Sequence, residues 1–421
     1  MRILVIGSGG REHTIIRKLK ESPKVDKIYA APGNGGISKD AECINIGAMD
    51  KAGIVAFAKE NAVDLVFVAP DDPLAAGMVD ALNANGIRAF GPRAEAAIIE
   101  SSKVFSKNLM KKYGIPTAAY EVFDDPAKAV EYIEQQNKFP VVIKADGLAL
   151  GKGVIIAQTL SEAREAVKEI MEDKKFGESG SRVVVEEYLT GPEVSVLAFT
   201  DGISLVPMVS SKDHKRAEDN DEGLNTGGMG TISPNPYYTP EIAELCRKTI
   251  FEPTVAAMNS ENRTFKGCLY FGLMITPDGP RVIEYNARFG DPEAQVVLPR
   301  LKTDLVDIIQ AVIDERLSQL SIEWSDEATA CVVMASGGYP LAYKKGLEIT
   351  GLDENGQLEG VEVFHAGTKL ENGKFYTNGG RVLGITASGK TLDEALKKAY
   401  AAVEKISFEG AHYRKDIGRL K

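Results

Sequence analysis

The sequence predicts a multidomain protein of mixed α/β and α+β class, opening with a parallel α/β unit and closing with a small α+β unit. Three observations carry that expectation. The chain has 421 residues, enough for two to four separate cores at roughly 150 residues per domain. Its 44% hydrophobic and 26% charged residues are those of an ordinary globular protein, which excludes a wholly disordered or fibrous chain. Short β-type runs alternate with amphipathic helical patterns through residues 1–100, the rhythm of a parallel sheet with crossover helices.

The elements follow in order. In the first unit, β-type runs at residues 3–6, 27–30, 65–68 and 88–90 are separated by helical patterns, the first beginning near His13. A helix from residue 101 to 113 is stopped by Gly114 and Pro116, which puts the first boundary at residue 100. Residues 101–190 read strand (119–122), helix (126–136), strand (141–144), glycine loop, strand (154–157), helix (161–171) and strand (183–188). Residues 191–325 give strands at 194–199, 205–209, 269–275 and 281–285, a glycine-rich loop at 223–230 and a helix at 240–259. A helix at 304–317, with Leu305, Ile308, Ile309, Val312 and Ile313 on one face, closes that unit. Past a polar junction at 321–327, residues 326–421 mix hairpins (361–367 and 379–386) with a terminal helix at 391–405.

Sixty acidic against 50 basic residues give a formal charge of -10, which disfavours a generic nucleic-acid binder because phosphate affinity needs clustered Lys and Arg. Cys43, Cys246, Cys268 and Cys331 lie far apart with no CxxC pair, so neither a disulfide framework nor a structural zinc site is indicated. No apolar run approaches the roughly 20 residues of a membrane helix. The expectation is a cytoplasmic protein without membrane or nucleic-acid partners.

Five runs carry chemistry. GSGGREH, residues 7–13, follows the first strand and opens a helix, so its N–H groups and positive dipole end suit a phosphate or carboxylate. A dinucleotide fingerprint would want an acid closing the second strand, which here ends Ala30, Ala31, Pro32; a glycine turn serving only packing is the plain alternative. KADGLALGKGV, residues 144–154, is not a Walker loop, because Gly151, Lys152 and Gly153 feed a strand rather than a helix. A glycine-tipped hairpin of this kind suits a lid over a triphosphate, with Lys152 at the tip and Lys144 reaching phosphate from the strand, or is an exposed hairpin with solvated lysines.

VVVEEYLTGPEVSV, residues 183–196, offers the backbone at Glu186, Glu187 and Leu189 to an adenine edge and Glu193 to ribose hydroxyls; a solvated strand end is the alternative. VIEYNARFGDPE, residues 282–293, is the most specific run. Period-two side chains put Glu284 and Asn286 on one face, about 7 Å apart, which suits Mg²⁺ bridged to phosphates, and Arg288 follows where it can stabilise charge on a phosphoryl or acyl oxygen. The charged, glycine-dense loop at 211–230 brings Asp213, His214, Lys215 and Arg216 to a phosphorylated, amine-bearing substrate or is a solvated loop. His365 and His412 have no assignable partner and are taken as structural.

In order along the chain, GSGGREH, APGNGG, FGP, SSKVFSK, IKADGLALGKGV, DHKR, NTGGMG, IEYNARFGDPE, FHAGTK, TNGGRVL and RKDIG resemble the glycinamide ribonucleotide synthetase family of the ATP-grasp superfamily. The resemblance covers essentially the whole chain. It implies an N-terminal α/β substrate-binding domain (1–100), an ATP-grasp lid region (101–190) and core (191–325) enclosing ATP, and a C-terminal domain (326–421). It implies ligation of glycine to 5-phosphoribosylamine through glycyl phosphate, in purine biosynthesis, by a monomer using ATP with Mg²⁺ or Mn²⁺. Carried over residue by residue, Lys103, Lys144, Glu186, Glu193 and the 146–153 loop meet ATP; Glu284 and Asn286 meet the metal; Gly9, Gly10, Asp213, Arg288 and Gly290 meet the ligated substrates, with Arg288 and Asp213 catalytic.

The chain departs from the family pattern at Asp71, where Glu is usual, at Lys212 for Gln, at Leu224 for Pro and at Leu150 for Ala. Another ATP-grasp ligase with a different acceptor, and a nucleotide sensor without activity, are the rival readings.

Overall fold

A computed structural model describes residues 1–148, 153–175 and 177–419. The first unit is a five-stranded parallel sheet, ordered Glu42–Cys43, Lys27–Pro32, Arg2–Gly7, Leu65–Val68, Ala89–Phe90. The order reverses beside Arg2–Gly7, so a crevice opens at the carboxyl ends of Arg2–Gly7 and Leu65–Val68, where Gly9 and Asp71 begin the following helices. Period two sends Leu4, Ile6, Val66 and Val68 to one apolar cluster and Ile3, Val5, Leu65 and Phe67 to another, each shared with residues of the central unit. That shared burial fixes the crevice against the rest of the molecule.

The first helix spans Gly10–Lys20 rather than starting near His13, because extended Gly9 caps it and Glu12 reaches back to the Gly9 N–H. Residues 120–187 form the second sheet, ordered Tyr120–Phe123, Val183–Glu187, Val141–Ala145, Val154–Ala157. Helices Pro126–Gln136 and Leu160–Val167 cover it with a separate cluster around Ile133, Ile143 and Val167. The central sheet runs Leu205–Pro207, Glu193–Thr200, Gly267–Thr276, Gly279–Asn286, all antiparallel. The expected helix at 240–259 is interrupted by a π turn at Arg247–Phe251 before Glu252–Ser260; Pro253 has no N–H to bond back one helical turn, so the ladder must widen ahead of it.

The glycine-rich loop at 223–230 also holds more structure than expected. Glu222–Asn225 pairs with Arg216–Glu218, and Gly230–Ser233 pairs with both Lys212–Asp213 and Ala328–Ala335. The last sheet is thus ordered Lys212–Asp213, Gly230–Ser233, Ala328–Ala335, Arg381–Gly389, Glu362–His365, with helix Leu392–Val403 packed on it. The expected pair of hairpins at 361–367 and 379–386 is instead one antiparallel pair enclosing the hairpin Thr368–Glu371 and Lys374–Thr377. Among the described residues no helix is long and apolar enough to cross a membrane.

Candidate active site

Strand Gly279–Asn286 carries Glu284 and Asn286 on one face and hands Arg288 to the crevice beyond its end. Its partner strand places Gly272 opposite Glu284, and a Cβ there would stand 3.0 Å from Glu284 Cγ, so the missing side chain is the room for the carboxylate. Lys215 Nζ lies 3.4 Å from Glu284 Oε1 and 3.8 Å from Glu193 Oε2. The lysine charge holds the Glu284 carboxyl down to about 2, against the opposing effect of burial. Glu284 holds the Lys215 ammonium well above its usual range in return.

The second sheet faces this strand with buried cations. Glu186 lies between Lys107 Nζ at 2.9 Å and Lys144 Nζ at 3.1 Å, and Lys144 also donates to the Ile283 carbonyl at 3.1 Å. Burial brings Lys107 down to about 8. Lys103 donates to the Gly147 carbonyl at 2.7 Å, and burial lowers its pKa as well. Asp146 accepts from the Ser102 hydroxyl and the Val104 N–H, and Arg182 lies 2.6 Å from it, so the root of the glycine loop caps the helix that carries Lys103. Gly153 accepts from the Ala145 N–H at 2.8 Å, while Gly151, Lys152 and Leu150 lie outside the described residues.

Glu187 does not join this cluster. Its N–H is bonded to the Ala119 carbonyl, and its carboxylate accepts from Ala119 N–H at 2.9 Å and pairs with Arg281 at 3.1 Å. Leu189 lies in the turn between strands Val183–Glu187 and Glu193–Thr200, and Glu193 is half exposed. A cavity of about 660 Å³ bounded by Pro116, Thr117, Tyr120 and Pro280 includes none of Lys144, Glu284, Asn286 or Arg288 in its walls.

On the crevice side, two first-turn N–H groups of GSGGREH already face the chain's own carboxylates. Gly9 donates to Glu12 Oε2 at 2.6 Å and Arg11 to Asp291 Oδ2 at 3.5 Å. A Cβ on Gly10 would meet Gln295 Nε2 at 2.6 Å, and one on Gly290 would collide with Glu293. Burial raises the Asp213 carboxyl, with the negative charge of Glu293 adding to it. Glu293 accepts from the Tyr270 hydroxyl at 3.0 Å. Arg381 clamps the two loops, donating to the carbonyls of Gly227 and Asp291, each at 2.7 Å. Arg288 Nη2 lies 2.7 Å from Glu100 Oε1, 3.9 Å from Asp71 Oδ2 and 3.2 Å from Asn286 Oδ1.

Of the departures, Asp71 is therefore at the centre of the crevice, Lys212 stacks its ammonium 5.4 Å from the Tyr237 ring, and Leu224 is exposed. Glu100, Lys107, Glu293 and Arg381 carry the geometry without having been singled out in the sequence. Lys107 stands one helical turn after Lys103 in SSKVFSK, which was the available signal for it. His365 and His412 prove to have partners: the His365 ring bonds Thr368 and Gly356, and the His412 ring bonds the Ala217 carbonyl. The His412 partner is 195 positions away, while those of His365 are near in the chain, at Gly356 and Thr368.

The donor set has a definite metal preference. Glu284 and Asn286 supply two side-chain oxygens, and among the described residues no group of three His, Cys, Asp or Glu could hold an ion. That fits a hard divalent cation shared with phosphate oxygens rather than one caged by protein alone.

Three family models match the chain: the N domain of phosphoribosylglycinamide synthetase over residues 1–100, its ATP-grasp (A) domain over 101–294 and its C domain over 329–420. The phosphoribosylamine–glycine ligase of Clostridium acetobutylicum is 49% identical over 421 residues, covering 100% of both chains. The trifunctional purine biosynthetic protein adenosine-3 of Gallus gallus is 50% identical over 99% of this chain and 42% of its own. The crystal structure of phosphoribosylamine–glycine ligase from Thermotoga maritima superposes with a TM-score of 0.86 at 33% identity, covering 99% of this chain and 100% of that one. A biotin carboxylase domain from Hydrogenobacter thermophilus, at 16% identity and a TM-score of 0.74 over 98% of this chain and 91% of its own, shares the fold.

Proposed function

The chain belongs to the phosphoribosylglycinamide synthetase family, and from that premise we propose that it joins glycine to 5-phosphoribosylamine, converting ATP to ADP and phosphate and releasing glycinamide ribonucleotide for purine biosynthesis. The observation that carries the reading is the place of Arg288. It follows Glu284 and Asn286 on the strand facing the buried lysines, yet it is paired with Glu100 and Asp71 of the parallel-sheet unit. Nucleotide side and substrate side meet at one guanidinium.

A glycine carboxylate oxygen attacks the γ-phosphorus as the bond to the β-phosphate oxygen breaks, giving glycyl phosphate and ADP. The amine nitrogen of phosphoribosylamine then attacks the glycyl carbonyl, phosphate leaves, and the nitrogen loses a proton. Free carboxylate is a poor acylating agent, and phosphorylation supplies its leaving group. No protein nucleophile is needed, so the chain's work is positioning and charge.

Lys144 and Lys103 hold phosphate oxygens, the ammonium of Lys103 exchanging the Gly147 carbonyl for them. Backbone at Glu186 and Leu189, with Glu193, takes the nucleoside. Arg288 spans the transferring phosphoryl group and the glycine carboxylate, and Asp213, its carboxyl raised beside Glu293, takes the proton from the amine. Glu284 and Asn286 would hold Mg²⁺, or Mn²⁺ in its place, and the ion would supply neutralisation of phosphate charge. Gly9, Gly10 and Gly290 let the phosphoribosylamine approach the backbone closely. The units follow the division 1–100, 101–190, 191–325 and 326–421, with strands Lys212–Asp213 and Gly230–Ser233 of the third completing the sheet of the fourth, and the working protein is a monomer in the cytoplasm.

The test is direct. The protein is incubated with ATP, Mg²⁺, glycine and freshly prepared 5-phosphoribosylamine, and both phosphate and glycinamide ribonucleotide are measured. Phosphate release that requires both substrates and gives equimolar product supports the reading. Equal turnover with other amino acids, or nucleotide binding with no product, overturns it.

A further inference from the structure

The geometry points to Glu100 as a positioning residue for Arg288, the group that holds the guanidinium of the nucleotide-side strand against the parallel-sheet unit and so sets where its remaining N–H groups aim. This rests on the reading of Arg288 given above. Glu100 is the penultimate residue of helix Ala94–Ser101, just after the apolar run Ala96–Ile99, and its side chain is only 7% exposed. An acid in such a place is costly unless paired and hydrogen-bonded.

Its two oxygens grip two consecutive residues. Oε2 accepts the Ala287 N–H at 2.6 Å, and Oε1 lies 2.7 Å from Arg288 Nη2. The other contacts of that guanidinium are longer: 3.2 Å to Asn286 Oδ1, 3.4 Å to the Phe289 carbonyl and 3.9 Å to Asp71. Glu100 therefore decides the rotamer, because only its contact has the short distance of a charge-assisted bond. Among the described residues the buried Arg288 Nε has no hydrogen-bond partner, so the guanidinium is held in this orientation with one donor left unsatisfied.

The Ala287 bond fixes the backbone immediately after Asn286 as well. Without Glu100, Asp71 is the carboxylate that remains within 4 Å of the guanidinium among the described residues. An interdomain ion pair with no further task is the competing account, and it predicts a loss of stability with the chemistry intact.

A double-mutant cycle separates them. Glu100→Gln keeps the volume but removes the charge and one of the two acceptors, while Arg288→Lys removes the fork that Glu100 aims. We expect Glu100→Gln to lower kcat about 10- to 100-fold, with the KM for ATP within about twofold of the parent. In the Arg288→Lys background the same change should cost less than about threefold, because there is no guanidinium left to aim. Equal fold losses in the two backgrounds would overturn the proposal, as would a parental kcat for Glu100→Gln with a lowered melting temperature. Should Glu100→Gln fail to fold, Glu100→Asp is read by the same criteria, its charge kept but its reach one methylene shorter. A parental kcat for Arg288→Lys alone is a different failure: it removes Arg288 from the reaction and the reading on which the proposal stands.

Discussion

A carboxylate that must bind a divalent cation has to be ionised at neutral pH inside a cleft, and Lys215 secures this for Glu284 by holding its pKa to about 2. Glu284→Gln with Asn286→Ala should therefore abolish most Mg·ATP turnover while leaving the melting temperature nearly unchanged, because both side chains border a cleft and not a packed core. Activity and thermal stability falling together would make the pair structural. Arg288→Lys is a second test at this scale. Lysine offers one compact charge where the guanidinium bridges two oxygens, and losing such a donor costs about 10²- to 10³-fold in kcat, roughly 3 to 4 kcal/mol. Nucleotide affinity should hold, since Lys144 and Glu186 lie on the other sheet and Glu193 on a different strand of this one; lost affinity with kcat retained would reassign Arg288 to ATP binding. These residues were legible because IEYNARFGDPE concentrates them on one strand and its exit. Glu100 was not, because its partner Ala287 stands 187 positions away and an acid inside AEAAIIES looks like an exposed helix residue.

Glycine-dense runs hide elements that burial and pairing create. Strands of two to four residues such as Lys212–Asp213, Glu222–Asn225 and Gly230–Ser233 have too few side chains to show a period, and only their partners, Ala328–Ala335 above all, make them strands. The longer elements, with many side chains on one face, were readable from the pattern alone. Gly228 shows what the glycines between those strands do. Its φ is +117°, and a Cβ would lie 2.5 Å from Pro292 Cδ and 2.6 Å from Asp213 Oδ1. Gly228→Ala should cost about 1–3 kcal/mol in backbone strain and displace Asp213 besides, so kcat should fall further than stability does; an unchanged kcat would separate Asp213 from the reaction. By contrast, Thr391 caps helix Leu392–Val403 far from the crevice, its hydroxyl accepting from the Glu394 N–H. Thr391→Ala should cost about 1 kcal/mol in unfolding free energy, read by urea titration, with turnover untouched.

Three buried histidines join the units, and each is neutral within the fold. His13 Nδ1 accepts the His365 N–H at 2.8 Å, His365 Nδ1 faces the Thr368 hydroxyl while its Nε2 faces the Gly356 carbonyl, and His214 Nε2 accepts the Gly418 N–H at 3.1 Å. The backbone N–H groups make acceptors of His13 Nδ1 and His214 Nε2, and protonation would break those bonds inside the fold, whereas the Thr368 hydroxyl can accept as well as donate, so burial is what keeps His365 neutral. The His13 contact spans 352 positions, which is why the sequence does not show it. Burial takes His365 down to about 3 and His214 to about 4, and lowers His13 too. Unfolded histidines titrate near 6.5, so from there down to about pH 4 the unfolded chain binds protons that the folded chain refuses. Each such ring removes about 1.4 kcal/mol of stability per unit of acidification. Glu100 acts oppositely: burial raises it to about 7, so between about 4.5 and 7 the folded state holds the extra proton and gains as pH falls. Burial raises the Asp213 and Glu362 carboxyls as well, so raised carboxyls oppose the imidazoles across this range and the contribution of one ring is read by removing that ring. Urea titrations between pH 6.5 and 4.5 should therefore show the unfolding free energy of the parent falling more steeply than that of a His365→Gln variant, by about 1.4 kcal/mol per pH unit, and parallel profiles would mean that the His365 ring is charged within the fold.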